Sequence, residues 1–96
     1  MEVTVDYLGH IKRVLNAEKK EKVELKDAAS VANLLLLLSE KHGDPFRNNV
    51  YEPSGLDLKP NFILTVNGFL LNQLNGIETK LRNGDHVVIM PIVSGG

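Results

Sequence analysis

Four segments of the chain are predicted to form β-strands from their pattern of hydrophobic and polar residues. In the segments 2–8 and 22–26, apolar side chains alternate with polar ones, as in a strand with one buried face. The segments 62–67 and 86–90 are nearly continuous in apolar and β-branched residues. The last of them has the most continuous β-forming composition. We therefore expect it at the centre of a sheet, beside the first strand and parallel to it.

One helix is predicted between the second and the third strand. Asp27 or Ser30 can cap its amino terminus, Gly43 is a natural C-cap, and Pro45 prevents its continuation. The segment 44–61 holds three prolines and few periodic apolar residues, which predicts a long loop over the surface. The residues that fall on one stripe of the helix, with a period of 3.6, are Val31, Leu34, Leu35, Leu38 and His42.

Turn signals divide the remaining chain. Residues 10–16 favour a short helical turn or a widened hairpin loop, and residues 76–81 a turn or short helix. Asn67-Gly68 is a hairpin signal, after which residues 69–71 can return as a short strand. Asn83-Gly84-Asp85 is a second tight turn. Pro91 lacks an N–H donor and is expected to end regular pairing, leaving Ile92 to Gly96 as a free tail.

This element order predicts an α+β fold: a mixed sheet of about four to five strands with one main helix across one face. Leu36 and Leu37 lie off the helix stripe, and we expect the segment 44–61 to fold back over at least one of them. A second contact surface is the alternative. The predicted core consists of Val3, Val5, Tyr7, Val31, Leu34, Leu35, Leu38, Leu64, Val66, Val87 and Ile89.

Composition limits the class of protein. Ninety-six residues, 43% of them hydrophobic, suit a single domain over residues 1–96. The formal net charge of -1 provides no cationic field for nucleic acid or an anionic membrane, so neither is expected as a partner. The absence of cysteine excludes disulfides, thiol nucleophiles and cysteine-based metal sites. No signal peptide or membrane span is visible, and a cytoplasmic location is expected.

No ordinary active site is visible among the polar residues. His10, His42 and His86 lie on separate elements without metal-ligand spacing, so no metal site is predicted. His42 lies on the apolar helix stripe, where a packed histidine is more common than a ligand. The aspartates do not pair into an acid/base dyad.

The carboxyl-terminal Gly95-Gly96 carries the chemistry that the rest of the chain lacks. A free α-carboxylate has a pKa of about 3.3–3.7, so it is ionised and a poor electrophile. Adenylation converts it into an acyl adenylate that a sulfur or amine nucleophile can attack. Because glycine has no Cβ, the tail can thread a narrow channel to ATP in another protein. Gly96 is therefore the candidate reactive residue, and Gly95 gives access to it.

Several motifs together resemble the MoaD/ThiS branch of ubiquitin-like proteins. They are V-x-V-x-Y at Val3–Tyr7, S-V-A-x-L-L at Ser30–Leu35, FILTVNG at Phe62–Gly68, NGD-x-V-x-I-x-P at Asn83–Pro91 and V-S-G-G at Val93–Gly96. The resemblance spans essentially the whole chain and implies the β-grasp fold.

In the MoaD type of this family, the terminal glycine is adenylated by a MoeB-like enzyme and converted to a thiocarboxylate. The carrier then docks on a MoaE-like large subunit and donates sulfur to a pyranopterin precursor of molybdenum cofactor. The resemblance thus implies a protein co-substrate rather than an enzyme, with no bound cofactor, since the activating partner uses the ATP. Three alternatives stay open: a SAMP-type modifier joined to lysines through Gly96, a ThiS-like carrier for thiazole synthesis, and a plain interaction module.

A docking surface is predicted on the last strand. If Val87 and Ile89 face the helix, alternation places Val88 and Met90 on the opposite face. A flexible thioether such as that of Met90 can adapt to more than one partner. The alternative is an ordinary, partly apolar surface. The candidate partner-binding residues are Val88, Met90, Pro91, Ile92, Val93 and Ser94.

Overall fold

The elements of the fold follow the predicted order, with additions between residues 44 and 58. The structure is a computed structural model that describes residues 1–17, 20–52 and 57–92. In chain order its elements are β1 (Glu2–Tyr7), α1 (His10–Val14), β2 (Glu21–Glu24), α2 (Val31–His42), α3 (Asp44–Asn49), β3 (Tyr51–Glu52), β4 (Asp57–Leu58), β5 (Phe62–Val66), β6 (Phe69–Leu70), the 3-10 helices Leu71–Gln73 and Gly76–Glu78, and β7 (His86–Pro91).

Five of these strands form a mixed sheet in the spatial order β2-β1-β7-β5-β6. The first and last strands pair in parallel, with Val5 opposite Val87, while the other neighbouring strands are antiparallel. The prediction that the last strand lies at the centre, parallel to the first, is confirmed. As the middle strand of the five, β7 is held by a hydrogen-bonded partner on each side.

Helix α2 covers one face of this sheet. Ser30 is its N-cap, as one of the two predicted candidates: Ser30 Oγ accepts a hydrogen bond from Asn33 N at 3.2 Å, and Asn33 Oδ1 accepts one from Ser30 N at 2.9 Å. Gly43 is the C-cap, as predicted. Every predicted core residue is buried between helix and sheet, and Leu34, Leu35 and Leu38 are fully enclosed.

The segment 44–61 differs from the predicted surface loop. It forms α3 and the two-stranded ribbon of β3 and β4, and Phe46, Val50 and Tyr51 are buried in the core. Pro45 ends α2 but lies in the first turn of α3, where no intrahelical N–H is needed. The sequence pattern missed this helix because it is short and its burial depends on contacts with α2.

Helix α2 contacts this segment through α3 and β4, and the prediction that the segment covers Leu36 or Leu37 stays a prediction. Leu37 is partly buried and packs against the core, as does Leu58 of β4, whereas Leu36 is 44% exposed.

At the hairpin between β5 and β6, Asn67 and Gly68 both have positive φ, 53° and 86°. These values match the predicted hairpin turn, in which both central residues are left-handed.

Candidate functional site: the exit of the carboxyl-terminal tail

The end of β7 is held from both sides where the chain leaves the sheet. On one side Leu8 N donates to Ile89 O at 3.0 Å, and on the other Ile92 N donates to Asn61 O at 2.8 Å. Pro91 lies in register with Phe62 as the last residue of β7. The expectation that Pro91 ends pairing and that the free tail starts at Ile92 is therefore wrong by one residue. The missing N–H of Pro91 does not prevent Ile92 from making the next bond.

The two faces of β7 have the predicted assignment. Val87 and Ile89 are fully buried on the helix side, while Val88 and Met90 are partly exposed on the opposite side of the sheet. We call this opposite side the outer face. Among the exit residues, Pro91 is partly exposed and Ile92 is 49% exposed.

Two further apolar residues belong to the same part of the outer face. Ile63 lies opposite Met90 in the β5–β7 register, and Leu70 lies opposite Thr65, which itself pairs with Val88. Leu70 is 39% exposed and Ile63 is partly exposed. Neither residue was among the predicted docking residues, although the alternation of β5, with Leu64 and Val66 facing the core, already placed Ile63 on the outer face.

A groove of about 500 Å³ extends this apolar region past the edge of β5. Ile63 and Leu70 line it together with Leu58, Leu71 and Ile77. Strand β6 pairs only with Thr65 and Val66, so in the described part of the sheet the first residues of β5 have a neighbouring strand on the β7 side but none on the side of the groove. Apolar surface thus continues from β7 to this edge.

The other half of the outer face is polar. The β1 register places Asp6 opposite Val88 and Thr4 opposite His86, and Lys22 of β2 lies opposite Thr4. Apolar outer-face residues are therefore concentrated on the β7, β5 and β6 side, next to the exit of the tail. A partner that recognises apolar surface would contact this side.

The tail itself lies outside the described residues. Val93, Ser94, Gly95 and Gly96 were predicted to bind the partner or to react, and these assignments remain predictions.

A cluster of linked titratable groups surrounds Glu21 of β2. Its carboxylate accepts a hydrogen bond from Tyr7 Oη at 3.2 Å, lies 3.0 Å from His42 Nε2 and forms an ion pair with Lys41. Burial by itself raises the pKa of Glu21, but the hydrogen bonds and charges of Lys41 and His42 outweigh it, so the pKa lies below its ordinary value. Burial, followed by the charge of Glu21 and its hydrogen bond, raises the pKa of Tyr7.

His42 is packed in this cluster, as expected for a histidine on an apolar helix stripe. Its ring meets Tyr7 edge-on with centroids 5.8 Å apart and stacks with Phe46 at 6.2 Å. In the described ranges, no group of three or more histidine, aspartate or glutamate side chains is placed to hold a metal ion. None of the helices in those ranges combines enough length with enough apolar character to span a bilayer.

Comparison with known sequences extends these observations. The sequence profile of the ThiS family matches residues 5–96. A protein of Archaeoglobus fulgidus, provisionally named a sulfur carrier protein, is 36% identical over 67 residues, which are 70% of this chain and 74% of that protein.

Comparison with solved structures concerns the fold. The crystal structure of SAMP1 from Haloferax volcanii matches with a TM-score of 0.82 at 20% identity, covering 100% of both chains. A Pyrococcus furiosus protein, provisionally named molybdopterin converting factor subunit 1, matches with a TM-score of 0.75 at 22% identity, covering 97% of this chain and 99% of its own. These likenesses confirm the predicted β-grasp fold. The chain belongs to the ThiS family of small ubiquitin-like sulfur-carrier proteins.

Proposed function

We propose that this chain is a MoaD-like sulfur carrier whose reactive group is the carboxylate of Gly96. The observation that carries the proposal is the family match, which runs through Gly95 and Gly96 rather than ending at the sheet. The structure adds that β7, the strand from which these residues follow, is fixed by β1 and β5 on its two sides. A reactive tail on such a strand starts from a defined position.

The chemistry proceeds in two balanced steps. An oxygen of the ionised Gly96 carboxylate attacks the α-phosphorus of ATP, and pyrophosphate leaves with the electron pair of the broken P–O bond. A sulfur nucleophile of the hydrosulfide or persulfide class then attacks the carbonyl carbon of the acyl adenylate. AMP leaves, and the sulfur stays bonded to the carboxyl carbon. Hydrosulfide gives the thiocarboxylate directly. A persulfide first gives an acyl disulfide, whose outer sulfur is attacked by a thiol, so that a disulfide leaves and the thiocarboxylate remains. ATP is bound by a MoeB-like activating partner, so this chain needs no cofactor of its own.

Glycine at the last two positions suits this partner-borne chemistry. A side chain at Gly95 would widen the tail and shield the carbonyl carbon from the nucleophile. The flexibility of the two glycines costs conformational entropy when the tail becomes ordered in the partner. Docking contacts elsewhere on the chain must offset that cost.

The apolar half of the outer face supplies these docking contacts in our proposal. Val88 and Met90 lie there beside Ile63 and Leu70, and the face continues into Pro91 at the exit. Ile92, Val93 and Ser94 extend the contact toward Gly95. Docking and threading thus form one continuous interface.

Molybdopterin synthesis is the proposed destination of the sulfur. The chain would act as the small subunit of a synthase-type complex, inserting its tail into a MoaE-like large subunit that holds the pyranopterin precursor. Support comes from the motif resemblance and from the full-length likeness to the Pyrococcus furiosus protein. The insertion between α2 and β5, which places Phe46 and Tyr51 in the core, adds size that ThiS-like carriers usually lack.

A protein modifier of the SAMP type is the second candidate. It is favoured by the full-length likeness to SAMP1 of Haloferax volcanii. The two candidates share the first step, because an amine can attack the same acyl adenylate. They differ in the nucleophile: a lysine Nζ gives an isopeptide bond, whereas sulfur gives the thiocarboxylate.

Intact-mass spectrometry tests the proposal directly. The chain is incubated with a MoeB-type enzyme, ATP and a sulfide source, with a Gly96-deleted chain as control. We expect the full chain to gain the mass difference between a sulfur and an oxygen atom, and the Gly96-deleted chain to keep its original mass. A second incubation with a MoaE-type subunit and pyranopterin precursor should return the mass to its original value. Lysine conjugates without sulfur transfer would instead establish the modifier.

A further inference from the structure

Gly9 lies directly against Pro91, the last residue of β7. It follows β1 and precedes α1, and a Cβ atom built on it would lie 2.8 Å from Pro91 Cγ and 3.0 Å from Pro91 Cδ. We infer that the contact between Gly9 and the Pro91 ring sets the direction in which the tail leaves the sheet. Gly9 is then a positioning residue for activation of Gly96, an inference that rests on the proposed function.

The backbone of Gly9 adds a second requirement for glycine. Its φ of 75° and ψ of -157° lie in a region that only glycine occupies readily. Gly43 has nearly the same backbone, with φ 70° and ψ -144°, but a Cβ on it would meet nothing within 4 Å. The two glycines therefore share the backbone strain that a side chain would cause. Of the two, only Gly9 also has a neighbouring side chain, Pro91, that an added Cβ would clash with.

Gly9 has little freedom to move away from Pro91. On its amino side, Leu8 N is hydrogen-bonded to Ile89 O at 3.0 Å. On its carboxyl side, Gly9 O accepts a hydrogen bond from Lys12 N at 3.2 Å, and Ile11 is fully buried. Retreat of Gly9 would break a sheet contact or pull Ile11 out of the core.

Pro91 therefore has to move when a methyl group is added at position 9. The proline ring is closed onto its own backbone nitrogen, so it cannot rotate away as a long side chain would. Displacing the ring displaces the backbone at the end of β7, next to the 2.8 Å bond between Ile92 N and Asn61 O. Misplacement of a reacting group by about 1 Å can cost on the order of 100-fold in rate. The tail that follows Ile92 would thus start in the wrong direction.

The test compares Gly9→Ala with Gly43→Ala as the matched control for strain. Two measurements are made: the exchange rate of the Ile92 amide by NMR, and the rate of acyl-adenylate formation with a MoeB-type enzyme and ATP. We expect Gly9→Ala to lower kcat by at least tenfold with KM changed less than threefold, and to accelerate Ile92 exchange at least tenfold relative to Gly43→Ala. Gly43→Ala should keep kcat within twofold of the original chain.

A double substitution identifies the contact as the cause. Pro91→Ala removes the ring atoms that an alanine at position 9 would meet, so Gly9→Ala with Pro91→Ala should match Pro91→Ala alone within threefold in both measurements. Equal losses in Gly9→Ala and Gly43→Ala, or a double variant that is more than threefold worse than Pro91→Ala alone, would overturn the inference. If Gly9→Ala does not fold, Pro91→Ala alone still has to accelerate Ile92 exchange. An original chain that is never adenylated refutes the proposed function, while the exchange data still decide whether the contact orients the exit.

Discussion

His42 Nε2 lies 3.0 Å from Glu21 Oε1, a distance that ties the last turn of α2 to the first residue of β2. Lys41 pairs with the other oxygen of the same carboxylate, whose side chain is only 12% exposed. The edge strand is thereby fixed to the helix by charge-assisted contacts as well as by the core.

The first prediction concerns this carboxylate. The pKa of Glu21 is lowered in the folded protein from an ordinary value of 4.5. Its contribution to stability is therefore fully present above that value and is lost as pH falls through the lower folded pKa. Glu21→Gln should cost roughly 1.5–3 kcal/mol at neutral pH, the usual worth of hydrogen bonds to a charged group.

Urea unfolding at a series of pH values checks this prediction. The difference in unfolding free energy between the original chain and Glu21→Gln should be constant above the ordinary pKa and should shrink as the pH falls below it. Glu40→Gln, an exposed change on α2, serves as control. A difference that stays constant into strong acid would show that the Glu21 charge does not stabilise the fold.

The second prediction concerns the contact between helix and sheet. Leu35→Ala should destabilise the protein by about 2–5 kcal/mol, because it leaves a cavity in a fully buried position. Leu36→Ala on the same helix is 44% exposed and should change stability by about 0.5 kcal/mol or less. Both are measured by urea unfolding, and equal costs would contradict the packing described.

The third prediction concerns the reactive tail. Deleting Gly96, or changing Gly95→Val, should abolish thiocarboxylate formation, since the first removes the activated residue and the second blocks threading. Thermal unfolding of both variants should match the original chain. Mass spectrometry provides the readout. Thiocarboxylate on the Gly96-deleted chain would disprove the assignment of the reactive carboxylate.

The fourth prediction concerns docking. Val88→Asp combined with Met90→Asp should weaken binding to a MoeB-type enzyme at least tenfold, a loss of about 1.4 kcal/mol or more. Lys22→Asp, on the polar half of the outer face, should leave the dissociation constant within about twofold. Calorimetric titration measures all three proteins. Unchanged affinity in the double variant would place docking elsewhere without affecting the tail chemistry.

Local signals explain most of the agreement between sequence and fold. The stripe of Val31, Leu34 and Leu38 defined α2 and its buried face, and Asn67-Gly68 defined the hairpin. Both depend on residues close together in sequence. The helix around Phe46 was missed because Gly43 and Pro45 indicate an ending, and only the packed core shows that a second helix begins there.

The candidate site also combines features that local sequence signals predict with features that only the folded structure shows. Alternation along β7 was enough to place Val88 and Met90 on the outer face. The importance of Gly9 could not be read from its neighbours, because it depends on Pro91 at the other end of the sequence. A glycine after a strand and before a helix is an ordinary turn signal, and only the folded sheet distinguishes Gly9 from other glycines.

The central position of β7 has a consequence for synthesis of the protein on the ribosome. This strand is the last in sequence, yet it lies between β1 and β5, which cannot pair with each other in its absence. The sheet therefore cannot close until residues 86–91 have emerged from the ribosomal tunnel, and until then the apolar faces of β1 and β5 remain exposed. Pairing of the first strand with the last is also the kind of long-range contact that slows folding. A chain truncated within β7 would lack the middle strand of its sheet as well as Gly95 and Gly96, so a folded protein is one whose synthesis has passed this strand.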